Sequence, residues 1–295
     1  MDQIQVAFDV PMQLGECPLW HSVEAALYWV DISAMQVHRL RPSDGAHAMW
    51  QLPAEPGCIG RHAAGGLIVA MRTGMVHLNT VSGELSAIAD APYDIASTRF
   101  NDGRCDAAGR FWAGTIYEPR DQPLGRLYTV EQNVVREAGN PVTVSNGLGF
   151  SGDGRTLYHS DTTAHRISTY EFDLATGKIG AGRVLKQFSM DKSDPNYGGR
   201  PDGAAVDSED AYWCAMYEGG RILRLAPSGE ILREIILPVR CPTMIAFGGP
   251  DLRTLYITTV REKRAPIELE KYPLSGCILS LRVEVPGRIE PAYIG

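Results

Sequence analysis

Four side chains with oxygen donors recur at one place in a repeated segment, and together they could bind a hard metal ion. Glu16, Asn101, Asn146 and Asp202 each lie 10 or 11 residues before a repeated apolar strand, with a glycine beside them or two residues away. Carboxylate and amide oxygens are ligands that Ca²⁺, Mg²⁺ and Mn²⁺ prefer. Each residue alone is better explained as a turn residue capping a strand, although less so Glu16, because Glu is not a turn former. The set favours metal binding if the fold brings the four positions together.

That condition depends on a repeat that runs through the chain. A turn followed by a short apolar strand occurs six times, and each copy leads into a further alternating strand. The equivalent residues lie 40, 44, 46, 55 and 43 positions apart, and they are Leu27, Leu67, Phe111, Leu157, Tyr212 and Leu255. Repeats of about 40–50 residues with several strands each are typical of a β-propeller.

The sequence therefore predicts an all-β fold, a single six-bladed β-propeller domain over residues 1–295 with four-stranded blades. The N-terminal strand IQVAFDV could pair into the last blade and close the ring. The innermost strand of each blade starts at the central channel, so equivalent residues of different blades converge on the axis. An axial metal site follows from that convergence. In the second and sixth units the position is largely apolar, PGCIG at 56–60 and CPTMI at 241–245.

Composition excludes several classes of function. The net charge is −7, and no basic cluster is longer than REKR at 261–264, so nucleic-acid binding is not expected. No run of 18 apolar residues exists, so no membrane span is expected. The N-terminus lacks the basic start and apolar core of a signal peptide, and the six cysteines form no CxxC pair. We therefore expect reduced cysteines, a cytoplasmic location and, with no signal for assembly, a monomer.

The segments around these residues resemble the senescence-marker-protein/gluconolactonase/luciferin-regenerating family, which includes regucalcin and bacterial sugar lactonases. The matching segments run in the family's order from position 14 to about 261 and include LGECPLWH, RFNDGRCDAAGRFWAGT, SNGLGFSGDGRTLYHSDT and PDGAAVDSEDAYWCAMYEGGRILRLAPSGE. The resemblance implies one divalent metal ion in the axial channel, with Glu16, Asn146 and Asp202 as ligands. Ca²⁺, Zn²⁺, Mn²⁺, Mg²⁺ and Fe²⁺ all remain open as the ion.

The resemblance also implies residues that contact substrate. Asn101 and Arg99 match pocket residues near the metal, and Glu118 in AGTIYEP is the nearest match to a glutamate that contacts substrate. A salt bridge with Asp102 is the structural alternative for Arg99. The second unit departs from the family, because it carries Arg61 on an inner strand, as either a rim residue or a specificity residue for an anionic group.

The implied activity is metal-dependent hydrolysis of a small-molecule sugar lactone, such as glucono-, xylono- or arabinonolactone, to the aldonic acid. Asp202 would serve as metal ligand and general base, and Arg99 would hold the lactone oxygens or the developing oxyanion. Asn101 and Glu118 would bond sugar hydroxyls. Two alternatives use the same site: a regucalcin-like calcium-binding or regulatory protein, and a hydrolase of organophosphates or other esters. His62, His159 and His165 show no metal-binding spacing and are expected to be structural.

Overall fold

A computed structural model describes residues 3–295; Met1 and Asp2, which belong to the expected domain, lie outside the described part. The described residues form twenty-five β-strands in six sheets and one short helix, α1 (Pro266–Lys271). Each sheet is one blade of a six-bladed β-propeller, which confirms the predicted fold class. The blades are numbered below by the chain order of their innermost strands.

The strands of the first three blades run from the channel outwards in chain order. Blade 1 consists of β2 (Gly15–His21), β3 (Ala26–Asp31), β4 (Gln36–Arg41) and β5 (Ala46–Gln51). Blade 2 consists of β6 (Pro56–His62), β7 (Leu67–Met71), β8 (Gly74–Leu78) and β9 (Leu85–Asp90), with β25 (Ala292–Tyr293) beside β6. Blade 3 consists of β10 (Thr98–Cys105), β11 (Phe111–Tyr117), β12 (Gly125–Glu131) and β13 (Val134–Val142).

The last three blades repeat this order and close the ring. Blade 4 consists of β14 (Ser145–Phe150), β15 (Thr156–Asp161), β16 (Arg166–Asp173) and β17 (Lys178–Gln187). Blade 5 consists of β18 (Arg200–Val206), β19 (Tyr212–Tyr217), β20 (Arg221–Leu225) and β21 (Ile231–Ile236). Blade 6 consists of β22 (Pro242–Gly248), β23 (Thr254–Thr259), β24 (Ile278–Arg282) and, from the N-terminus, β1 (Gln5–Phe8).

The pairing of β1 with β24 joins the two ends of the chain. The two strands run antiparallel, with Gln5 opposite Ser280 and Val6 opposite Leu279, as the sequence predicted. Blade 2 differs from the prediction, because the two-residue strand β25 adds a fifth strand to it. It pairs in parallel with β6, with Ala292 opposite Arg61, and so covers part of an inner edge that would otherwise expose unpaired backbone groups.

The core lies between the blades. The second strand of each blade is packed on both faces, and its repeat residue is completely buried in all six cases: Leu27, Leu67, Phe111, Leu157, Tyr212 and Leu255. Outer strands are half exposed; β5, for example, alternates between half-buried and exposed residues. This is why the sequence signal is strongest in the second strand, where every position but the terminal ones is buried.

Two turns between first and second strands are fixed by the same side-chain contact. Asp106 accepts a hydrogen bond from Trp112 Nε1 at 2.8 Å, and Asp207 accepts one from Trp213 Nε1 at 2.8 Å. Both aspartates are fully buried, and charge-assisted hydrogen bonds offset the free-energy cost of removing their carboxylates from water. These anchors set where the inner strand ends and hence how it is placed along the channel.

Two further expectations concern the whole chain. All six cysteines are buried and unpaired, as expected for reduced thiols. Between residues 3 and 295, none of the helical structure is both long and apolar enough to span a bilayer.

Candidate metal and substrate site

A cavity of about 590 Å³ opens where the innermost strands begin. The four residues picked out by their spacing, Glu16, Asn101, Asn146 and Asp202, all line it, and we call them the floor. All of them except Glu16, which is half-buried, are buried. The structure thus brings together side chains from β2, β10, β14 and β18 that are far apart in the sequence.

A local irregularity in the inner strands aims these side chains. The pairing of β2 with β3 shifts register between Glu16 and Leu19, and the pairing of β14 with β15 shifts between Asn146 and Gly149. All six inner strands carry such a shift within residues 3–295. Bulges of this kind bend a strand and redirect a side chain. The position of the floor residues therefore depends on backbone irregularity as well as on the repeat.

Glycines next to the floor allow neighbouring inner strands to approach each other. Gly147 has a φ of 58°, and a Cβ there would lie 2.2 Å from the hydroxyl of Tyr212. A Cβ on Gly203 would lie 2.3 Å from the side chain of Met244 in the next blade. The glycine beside Asn146 is thus required by close packing at the axis, in addition to its left-handed backbone conformation.

Buried aspartates fix the chain that leads into two of the floor positions. Asp31, at the end of β3, accepts hydrogen bonds from the backbone N–H groups of residues 13 and 14 at 2.7 and 3.0 Å. Asp161, at the end of β15, accepts equivalent bonds from residues 143 and 144 at 3.0 and 3.3 Å. These contacts hold the segments just before the floor residues of blades 1 and 4.

Asn146 is the centre of the hydrogen-bond network on the floor. Its amide nitrogen donates to Thr162 Oγ1 at 2.8 Å and to Asp202 Oδ1, while its amide oxygen accepts a bond from Asn101 Nδ2 at 2.8 Å. Thr162 in turn donates to the backbone carbonyl of Pro201 at 2.8 Å. Blades 3, 4 and 5 are thereby linked across the channel through one amide group.

The two floor carboxylates are held in an environment that disfavours their charge. Burial, reinforced by the charges of Asp202 and Asp102, raises the pKa of Glu16. Burial also raises the pKa of Asp202 to about 8. Glu16 accepts a hydrogen bond from the backbone N–H of Cys17 at 3.2 Å, which is little compensation for a negative charge that is partly removed from water.

A bound divalent cation would compensate these charges, and the donor set suits a hard ion. Glu16 and Asp202 offer carboxylate oxygens and Asn146 an amide oxygen, the ligand types such ions take. Asn146 directs its amide nitrogen to Asp202, so ligation would require the amide to turn and present its oxygen. No group of three or more His, Cys, Asp or Glu side chains within residues 3–295 forms a metal site, so the candidate set needs its amide.

Arg99 lies beside the floor and is buried. Its guanidinium donates to the carbonyl of the following residue at 2.9 Å and to Asn101 Oδ1 at 2.8 Å. Glu118 Oε1 lies 3.7 Å from Arg99 Nε. Burial lowers the pKa of Arg99, and Glu118 opposes that shift. The alternative salt bridge with Asp102 is not formed: Asp102 Oδ2 accepts a bond from a backbone N–H in β14 at 2.9 Å, and its Oδ1 has no partner among residues 3–295.

Glu118 lines the cavity within a cluster that the sequence did not reveal. Arg72 binds both carboxylate oxygens of Glu118, at 3.0 and 3.1 Å, and its Nε donates to Glu55 at 3.0 Å. Arg72 follows β7 and Glu55 precedes β6, both in blade 2, which is one of the two blades without a floor residue. We call Glu55, Arg72, Arg99 and Glu118 the ion-paired wall.

The opposite side of the cavity holds a second group that the sequence did not single out as a site. The guanidinium carbons of Arg200 and Arg264 lie 5.1 and 5.7 Å from the ring centre of Tyr217. All three line the cavity, and we call them the arginine–tyrosine wall. Two features of the sequence could have located the arginines. Arg200 lies two residues before Asp202, and Arg264 belongs to the basic cluster REKR.

Arg61 does not line this cavity, which corrects its proposed contact with substrate. It lies at the far end of β6, about 20 Å along the strand from Glu55 at a rise of roughly 3.3 Å per residue. Its Nη1 donates to the backbone carbonyl of Glu290 at 3.0 Å. Arg61 therefore anchors the C-terminal segment that contains β25. The side of the strand that Arg61 faces does not matter here, because Arg61 lies at the end of β6 that is remote from the cavity.

The three histidines set aside in the sequence have structural contacts. His159 Nε2 bonds Ser145 Oγ at 2.7 Å, and His165 Nδ1 bonds the carbonyl of Ser189 at 2.8 Å. The ring of His62 lies 5.5 Å from that of Tyr293. None of the three lines the cavity.

Comparisons with known proteins agree with the fold and identify the family. The chain is 49% identical over 287 residues to a 6-deoxy-6-sulfogluconolactonase of Pseudomonas putida, covering 97% of this chain and 96% of that protein. It is 36% identical over 258 residues to a pentonolactonase of Haloferax volcanii, covering 85% and 83%. The crystal structure of a calcium-binding protein, regucalcin, from Agrobacterium tumefaciens superimposes with a TM-score of 0.93 at 28% identity, covering 99% of this chain and 97% of that one.

The family profile described as the SMP-30/Gluconolactonase/LRE-like region matches residues 14–261. That range runs from blade 1 to the segment after β23 and ends three residues before Arg264. Only Arg264 of the residues named in the floor and walls lies beyond it. The chain belongs to the SMP-30/gluconolactonase/LRE-like family.

Proposed function

We propose that this protein hydrolyses a sugar lactone to the corresponding aldonic acid, with one divalent cation held by Glu16, Asn146 and Asp202. The observation that carries the proposal is the pair of carboxylates and the amide on the floor of a cavity large enough for a monosaccharide. A cation bound there would polarise the lactone carbonyl and make a coordinated water more acidic.

The side chains of the floor and the ion-paired wall would supply the general base, the oxyanion donor and the contacts to the sugar hydroxyls. Asp202 is the proposed general base, because a carboxylate within reach of water can accept its proton. Arg99 would donate hydrogen bonds to the oxygen that gains negative charge, and its burial strengthens that interaction. Asn101 and Glu118 would hold sugar hydroxyls, Glu118 with the lone pairs that Arg72 leaves free.

Among sugar lactones, we propose 6-deoxy-6-sulfogluconolactone as the first candidate substrate. The relative from Pseudomonas putida bears that activity in its name and is 49% identical over nearly the full length of both chains. Pentonolactones are the second class, supported by the relative from Haloferax volcanii at 36% identity. A calcium-binding role without turnover is the alternative, supported by the superposition with regucalcin.

The test is hydrolysis of glucono-, xylono- and 6-sulfonated gluconolactones by metal-stripped protein, with Ca²⁺, Zn²⁺, Mn²⁺, Mg²⁺ or Fe²⁺ added back singly. Acid release is followed with a pH indicator, and spontaneous opening is subtracted. Metal binding is measured separately by calorimetry. We expect turnover that requires a cation, and we expect Glu16→Gln to weaken both cation binding and turnover.

The matched control is Glu84→Gln, which removes the same charge from an exposed position outside the cavity. It should leave cation binding and turnover at the wild-type level. Cation binding without a rate above background on any lactone would overturn the lactonase and favour the calcium-binding alternative.

A further inference from the structure

The arginine–tyrosine wall places two guanidinium groups against one aromatic ring. Arg200 begins β18 and lies opposite Tyr217, the last residue of β19. Arg264 reaches the same ring from the segment between β23 and α1. Stacking on an aromatic face holds a guanidinium plane in place without using its N–H donors. The donors remain free to bind an anion.

Arg200 lacks a full set of acceptors. Its Nε is buried and makes no hydrogen bond to any residue from 3 to 295. The nearest carboxylate, Glu218, lies 3.5 Å from Nη2 but is bound more closely by Lys192 at 2.8 Å. A buried donor without an acceptor costs free energy that a ligand oxygen could recover.

Arg264 is in the same situation. Its Nε is also buried and without an acceptor in the described chain. Its Nη1 lies 3.4 Å from the sulfur of Cys241 and 3.7 Å from Glu268 Oε1, which is beyond hydrogen-bond distance. Arg240 binds the other carboxylate oxygen of Glu268 at 2.7 Å. A thiol is a weak acceptor. Two arginines at one tyrosine ring, each with a buried and unused Nε, therefore form an incomplete ion-pairing site in this cavity wall.

The distance from the floor matches a substituent on the substrate. Arg200 and Asp202 both line the cavity and lie two residues apart in β18, so their Cα atoms are at most about 7 Å apart. That separation is comparable with the width of a sugar ring. A lactone whose carbonyl lies over the floor could therefore extend its far end towards Arg200 and Arg264. Lys263 also lines the cavity on this side, where Glu262 Oε1 lies 3.5 Å from its Nζ and offsets its charge.

We propose that Arg200 and Arg264, held by Tyr217, form a subsite for a tetrahedral oxyanion on the far end of the sugar lactone. The shared chemistry is a sulfonate or a phosphate, whose three oxygens can accept several N–H bonds from two arginines. This subsite rests on the proposed lactonase function and sets its substrate class. It also gives a role to the basic cluster at 261–264, which the exclusion of nucleic acid left unexplained.

The experiment compares three lactones on the metal-loaded protein: glucono-1,5-lactone, its 6-deoxy-6-sulfo analogue and its 6-phosphate. We expect Arg264→Met to lower the ratio of kcat/KM for the anionic over the neutral lactone by about 10- to 100-fold, the range for losing a charged hydrogen bond. Arg264→Lys should fall between the two, because it keeps the charge but loses the planar fork. The preferred anionic lactone identifies the oxyanion.

Arg261→Met is the matched control. It removes the same charge from the same cluster, but Arg261 is exposed and does not line the cavity, so the ratio should not change. Thermal melting of each variant checks folding, and calorimetric binding of 6-deoxy-6-sulfogluconate gives a second reading that needs no turnover. Turnover of all three lactones with an unchanged ratio in Arg264→Met would overturn the subsite and leave the lactonase standing. Absence of turnover in the wild type would instead overturn the lactonase.

Discussion

The two walls of the cavity use arginines in opposite ways. In the ion-paired wall, Arg72 gives hydrogen bonds to two carboxylates at 3.0–3.1 Å. In the arginine–tyrosine wall, Arg200 and Arg264 have carboxylates only at 3.5 and 3.7 Å, and both Nε atoms are unused. An arginine that is already paired with carboxylates can hold neighbouring side chains in position. An arginine without such a partner has N–H donors available for a ligand. The difference suggests that one wall orients the reaction and the other selects the substrate.

The largest expected effect comes from the floor, which both walls share. We expect Asp202→Asn to lower kcat by at least about 10³-fold on neutral and anionic lactones alike, because it removes the proposed base and a metal ligand. The measurement is the background-corrected rate of acid release for both substrates. A loss confined to the anionic lactone would assign Asp202 to selection and remove the distinction between floor and walls.

Arg99 tests the orienting wall. Arg99→Met should lower kcat by about 10²-fold, the effect of removing one oxyanion donor, and by similar factors for neutral and anionic lactones. Steady-state kinetics on the two substrates give the comparison with Arg264→Met, whose effect should be selective. If Arg99→Met were the selective variant, the roles given to the two walls would be reversed.

The free energy of unfolding of two variants distinguishes the two walls in the absence of substrate. Arg72→Met leaves Glu55 and Glu118 without their partner and should destabilise the protein by about 1–2 kcal/mol, a modest cost because Glu118 is partly exposed to water. Arg264→Met removes a guanidinium with incomplete pairing and should cost less than about 0.5 kcal/mol, or stabilise the fold. Urea unfolding of both variants, monitored by tryptophan fluorescence, gives the two values. Equal losses would mean that the arginines are equally well paired.

The smallest expected effect is that of salt. Raising NaCl from 20 to 300 mM should increase KM for the sulfonated lactone by roughly threefold, because counterions screen a partly exposed charge pair. The KM of the neutral lactone should stay the same, and Arg264→Met should flatten the dependence. A salt effect of equal size on both lactones would point to the floor or to the protein as a whole.

Much of the fold was predictable because a propeller repeats its local signals. Leu27, Phe111 and Tyr212 mark strands that are buried on both faces, so apolar residues recur there at intervals close to one blade. The pairing of β1 with β24 was predictable from the one strand left over at the N-terminus. The strand β25 was missed, because two residues at the end of the chain carry no periodicity.

Within the site, prediction was best where the ring symmetry applied. Asn101 and Asn146 could be found because equivalent positions in inner strands meet at the axis. Arg72 and Arg264 could not be found in this way. They lie after second strands, in segments whose lengths differ between blades, so these positions have no equivalents in the repeat. The prediction that Arg61 contacts substrate considered only its charge and its place on an inner strand. What it contacts depends on its distance from the end of β6 that borders the cavity.

The sequence by itself determined the propeller and the identity of the floor, since strand patterning is local and the repeat maps equivalent residues onto one axis. Only the tertiary structure decided which arginines are paired and which keep free donors. That depends on distances such as those from Arg72 to Glu118 and from Arg264 to the ring of Tyr217, which join different blades. Sequence spacing does not encode such distances, because they are set by how loops of unequal length pack over the channel.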